Sequence, residues 1–134
     1  MKNTNFKKSL VLLAVLSFLN GCKYEEGPAI SLRSKKARVE NSWSVEKFID
    51  AEGVSYDDPF PDAEYTFTKD GKFTLKDNSG EIAGTWVFSE SKKNIILSYT
   101  QGAVGSDEYR ILKLKDKEFW FQNILRGEYH LMEK

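Results

Sequence analysis

From Trp43 to its last residues the chain alternates apolar and polar side chains in short runs separated by turn-forming residues, and no helical period of useful length competes. A period of two places successive side chains on opposite faces, so each run reads as a strand with one apolar face. The runs are Trp43–Phe48, Tyr65–Thr68, Phe73–Leu75, Ile82–Phe88, Ile95–Tyr99, Glu108–Lys115, Glu118–Ile124 and Glu128–Met132. No segment among them is long enough to cover an open sheet as a helix. Closing the strands on themselves removes the unpaired edges. The expected fold is all-β: a small up-and-down antiparallel barrel of about eight strands, preceded by a short N-terminal helix or tether.

Turn chemistry sets the register. A two-residue loop of Asp70-Gly71 would pair Phe67 with Thr74 and send the two apolar rows to opposite faces. A three-residue loop Lys69-Asp70-Gly71, with Gly71 left-handed after a type I turn, pairs Phe67 with Phe73 and Tyr65 with Leu75. The second arrangement keeps the aromatic face together and is the one expected. Around Asp116-Lys117, the analogous pairing aligns Leu114 with Phe119 and Leu112 with Phe121. Trp120 then lies on the outer face near Lys113, where a cation can rest on its ring. Gly84 suits a close approach beside Trp86. Either Ile95 or Ile96 points inward.

The N-terminal region follows different rules. Lys2, Lys7 and Lys8 precede an uncharged run, Ser9 to Leu19, which ends in Leu19-Asn20-Gly21-Cys22 and contributes the only cysteine in the chain. The run is too short for a permanent membrane span, which needs about 20 residues, and reads as a secretory signal. It resembles the lipobox of bacterial lipoproteins, which implies cleavage before Cys22 and acylation of its sulfur. Two or three acyl chains, at about 0.8 kcal/mol per buried methylene, anchor a protein without a spanning helix. The expected organisation is a signal peptide over 1–21, a lipidated N terminus and tether over 22–40, and a barrel over 41–134.

Loss of the three signal lysines leaves 17 cations against 20 acids, a mild negative balance that argues against a nucleic-acid partner. Lys23-Tyr24-Glu25-Glu26 is similar to the lysine-plus-acidic export signal of Bacteroidota lipoproteins, which implies an outer-membrane location and display on the cell surface. Between Ile30 and Asn41, Ser34 is placed to cap a brief helix. Arg33, Lys35, Lys36 and Arg38 are expected to form a solvated basic face on it, the alternative being contact with lipid phosphates near the anchor.

Asn41-Ser42-Trp43, the Phe67–Phe73 hairpin, Gly84-Thr85-Trp86-Val87-Phe88 and Leu112-Lys113-Leu114-Lys115-Asp116-Lys117-Glu118-Phe119 together resemble the lipocalin-like lipoproteins of Bacteroidota. The resemblance spans most of the chain from Ser31 onward. It implies a small ligand-binding barrel, with a long loop after the first strand lying over the opening. Here that loop is Asp50–Asp62. Tyr56 and Phe60 on the loop, with Trp43, Tyr65 and Trp86 from the lining, are the candidate ligand contacts. The ligand class is a small apolar or amphipathic molecule or a glycan fragment. The alternative is a filled barrel serving as a structural or interaction subunit of a cell-envelope assembly.

Catalysis has little support. An acylated Cys22 cannot be a nucleophile, and His130, expected on the polar face of the last strand, has no second histidine to share a metal. Neither a Gly-x-Ser-x-Gly nor a His-Glu-x-x-His pattern occurs. A non-enzymatic role without cofactor or metal is expected.

Overall fold

Phe67 stands opposite Phe73 and Tyr65 opposite Leu75 in the computed structural model, which describes residues 32–134, and Gly71 takes φ +82° in the turn between them. The three-residue loop therefore keeps both aromatic rows on one face. The chain runs α1 (Lys35–Val39), β1 (Ser42–Ile49), β2 (Ser55–Asp57), β3 (Glu64–Phe67), β4 (Lys72–Asp77), β5 (Gly80–Phe88), β6 (Asn94–Gln101), β7 (Ser106–Leu114), β8 (Glu118–Asn123) and β9 (Gly127–Glu133).

Every strand pairs antiparallel with its neighbour, and β1 meets β9 along Trp43–Ile49, so eight strands close into an up-and-down barrel. The ninth strand, β2, is an addition within the Asp50–Asp62 loop. β3 holds β1 only over Ser42–Ser44, and β2 takes over that edge at Lys47–Ile49.

The inward rows gather into one aromatic core: Trp43, Phe119 and Leu131 are completely buried, with Phe67, Phe73, Trp86 and Phe121 nearly so. Phe67 touches Phe73, Trp86 and Phe119 at ring separations of 6.2, 5.9 and 5.9 Å. Ile95 is the buried member of the Ile95-Ile96 pair. Leu114 faces Phe119 as its turn implies, but the expected Leu112–Phe121 pair does not form. A β-bulge between Ile111 and Lys113 inserts one residue, so Ile111 stands opposite Phe121 and packs on the core. Leu112 is thereby turned to the outside. Lys113 reaches Trp120 as expected, its Nζ 4.1 Å from the ring centroid.

One end of the barrel is sealed. Ser34 caps α1 by accepting a hydrogen bond from the Ala37 N–H at 3.1 Å. The helix then lays Val39, fully buried, over the core, and its carbonyl accepts from the Trp43 indole at 3.0 Å. Arg38 departs from the solvated face expected of it. It is 5% exposed and donates through Nη1 to the Leu114 carbonyl at 2.9 Å. Its stem covers apolar surface while the guanidinium satisfies a carbonyl at the end of β7. The structural unit thus includes α1, upstream of Asn41.

Candidate functional site

The other end stays open because its strands finish in long-reach aromatic and polar side chains instead of a covering helix. Here the β6–β7 loop and the β8–β9 turn border a cavity of about 260 Å³. Phe73, Leu75, Ile82 and Leu97 form its apolar floor. Tyr65, Tyr99, Tyr109 and Tyr129 ring the wall, and Asp107 and Arg126 stand at the rim.

The rim is tied together by charge. The Tyr99 hydroxyl donates to Asp107 Oδ2 at 2.6 Å, and Arg126 Nη2 lies 3.3 Å from the same oxygen. Asp107 is largely covered, whereas the Arg126 side chain is 59% exposed, so the guanidinium has donors left for solvent or a guest. Burial pushes the Tyr99 phenol up to about 12, assisted by the neighbouring carboxylate of Asp107. Burial also raises the phenols of Tyr65, Tyr109 and Tyr129. All four phenols are therefore neutral at physiological pH.

The same shifts imply alkali sensitivity. A phenol whose folded pKa exceeds its unfolded value binds more protons in the native state above pH 10, so stability is level below that pH and falls as Tyr99 is carried from 10.0 toward about 12. Denaturant midpoints measured across this window should decline, and Tyr99→Phe should flatten the decline. A midpoint independent of pH there contradicts the assignment.

The lid residues reach the same end. Tyr56 and Phe60, 45% and 43% exposed, pack on Phe48 at ring separations of 6.2 and 5.8 Å. Phe48 in turn lies 4.9 Å from Tyr129, so the lid aromatics continue the cavity wall outward. Nearby loop tips expose Val104, Ile124 and Leu125 almost fully, giving the entrance an apolar fringe.

Of the residues singled out by sequence, Tyr65 lines the cavity and Tyr56 and Phe60 flank it. Trp43 and Trp86 are placed elsewhere: both lie in the core beneath the sealed end, where their indoles donate to the Val39 and Thr68 carbonyls at 3.0 and 3.1 Å. Tyr99, Tyr109, Tyr129, Asp107 and Arg126 escaped sequence reasoning. The tyrosines did carry a signal, since Tyr99 is in phase with Ile95 and Leu97, and Tyr129 with Leu131. Cys22 lies outside the described residues. His130 stacks on Trp120 on the outer wall, with centroids 3.8 Å apart, and meets Glu128 at 2.6 Å. Among the described residues no group of three His, Cys, Asp or Glu side chains could hold a metal ion.

No protein-family model and no curated protein sequence matches this chain. Solved structures do. A lipocalin-like protein from Bacteroides uniformis ATCC 8492 superposes with a TM-score of 0.61 at 12% identity, covering 72% of this chain and 99% of its own. An uncharacterized protein from Bacteroides eggerthii DSM 20697 gives 0.53 at 14% identity, covering 70% and 98%. At such identities the likeness speaks of architecture, and together with the closed sheet it establishes that this chain has a lipocalin-like eight-stranded β-barrel fold.

Proposed function

We propose that this protein is a binding module of the cell envelope: a lipocalin-like barrel, anchored in the outer membrane through acylated Cys22, that captures a small amphipathic molecule at its mouth. The cavity carries this reading, because it joins an apolar floor to neutral hydroxyls and an accessible guanidinium. At about 260 Å³ it lies just below the roughly 300–1,000 Å³ of drug-sized sites. It suits a single ring or a short acyl segment, with the polar group of the guest near Arg126 and Tyr99. The exposed apolar fringe provides the contact surface for entry. Display on the cell surface, inferred from Lys23-Tyr24-Glu25-Glu26, belongs to the same proposal.

The test is calorimetric titration with octanoate, a short acyl chain ending in one carboxylate, alongside native mass spectrometry of protein isolated from its own cells. Ala103 belongs to the cavity lining, so Ala103→Trp occupies the binding volume itself and is expected to weaken octanoate binding at least about tenfold, the equivalent of 1.4 kcal/mol. Arg126→Ala removes the exposed guanidinium and should cost about tenfold through the lost charge-assisted contact. Octanoate affinity unchanged by Ala103→Trp, with no small molecule co-purifying, would instead favour the structural or interaction subunit.

A further inference from the structure

We infer that a basic groove on the outer wall near the sealed end docks anionic phospholipid headgroups and sets the barrel on the bilayer with its mouth turned away. The groove, of about 560 Å³, runs between α1, the β5–β6 loop and the outer face of β7 and β8. Lys35, Lys92, Lys93, Arg110 and Lys113 line it, over apolar surface that includes Leu112 and Trp120.

Cations outnumber acids in this lining five to one. Its one carboxylate, Glu128, shares a hydrogen bond with His130 at 2.6 Å, and the neighbouring Glu118 is paired with Lys113 at 3.0 Å. Among the described residues, no carboxylate lies within ion-pair distance of Lys92, Lys93 or Arg110. Three cations thus border a wall where the bulge at Leu112 and the outward Trp120 supply apolar contact. Cations above an apolar strip match the phosphate level and upper acyl region of a bilayer.

Two further observations orient the surface. The opposite end carries Asp50, Asp58, Asp62 and Asp77, none of them in an ion pair among the described residues, which anionic lipid would repel. α1 also packs on the sealed end through Val39 and Arg38, so an anchor at Cys22, 13 residues before Lys35, would draw that end toward the membrane. This last step rests on the proposed anchor; the charge distribution does not.

Amine labelling of the full chain tests the inference. Protein isolated from membranes is reconstituted into vesicles of phosphatidylcholine alone, or of phosphatidylcholine with phosphatidylglycerol, and modified lysines are counted by mass spectrometry. Labelling of Lys92 and Lys93 is expected to fall at least about fivefold in the anionic vesicles and to recover in high salt. Lys76, at the mouth end of β4, should label equally in both. Arg110→Glu, on the exposed face of β7, should abolish the protection at Lys92 and Lys93. Equal labelling of these two lysines in both vesicle types, or equal protection of Lys76, overturns the docking surface. Protein recovered in the soluble fraction refutes the anchor instead. Added to the same vesicles from solution, it still reports on the groove through the same label.

Discussion

Trp43→Ala is expected to lower stability by about 4 kcal/mol, the middle of the range for removing a fully buried aromatic side chain. Trp43 has no exposed surface, packs against Phe119 at 5.8 Å and donates its indole N–H to the Val39 carbonyl. Truncation opens a cavity in the aromatic core and takes away the hydrogen bond that holds α1 over the barrel. For a domain of this size, with total stability of roughly 5–15 kcal/mol, this is a large fraction. The melting temperature should fall by roughly 15–30 °C. Trp120→Ala, on the outer wall, serves as the contrast at about 1 kcal/mol. Equal losses for the two variants, read from denaturant unfolding, would show that the sealed end contributes no special packing.

Gly84→Ala should be nearly as damaging although it adds a single methyl group. A Cβ at Gly84 would sit 1.9 Å from the Ser98 carbonyl oxygen, 2.8 Å from the Ser98 carbonyl carbon and 2.9 Å from the Phe73 ring. Two of these obstacles are backbone atoms of β6, so no rotamer change relieves the clash. The register between β5 and β6 already shifts at Ala83/Gly84, and a side chain there forces the two strands apart. A loss of about 3 kcal/mol is expected, at the upper end for overpacking. Thr85→Ala, one exposed residue away, should stay within about 0.5 kcal/mol. Calorimetry of the pair decides the matter, and a Gly84→Ala protein as stable as Thr85→Ala would refute the close approach.

The hairpin between β3 and β4 was legible because only one loop length keeps Phe67 and Phe73 on the same face, and that face had to be buried. The bulge in β7 was not. Periodicity counts residues two by two, whereas the curvature of a closed barrel decides where one residue is skipped, and at Leu112 the count failed. Arg38 misled for a different reason: a guanidinium in a run of cations reads as solvated, yet a partner carbonyl at Leu114, far along the chain, makes its burial tolerable. β2 was hidden because Ser55-Tyr56-Asp57 has no apolar alternation and pairs only where β3 leaves the edge of β1 free. The mouth was half readable. Its tyrosines follow the inward phase of their strands, but Asp107 comes from the start of β7 and Arg126 from the β8–β9 turn, and only the closed fold makes them neighbours.

The plug formed by Arg38 and Val39 leaves the barrel open at one end only. A guest of the kind proposed above would enter and depart by the same doorway. Narrowing the doorway without altering the floor therefore slows loading and unloading by the same factor, prolonging residence while leaving occupancy at equilibrium unchanged.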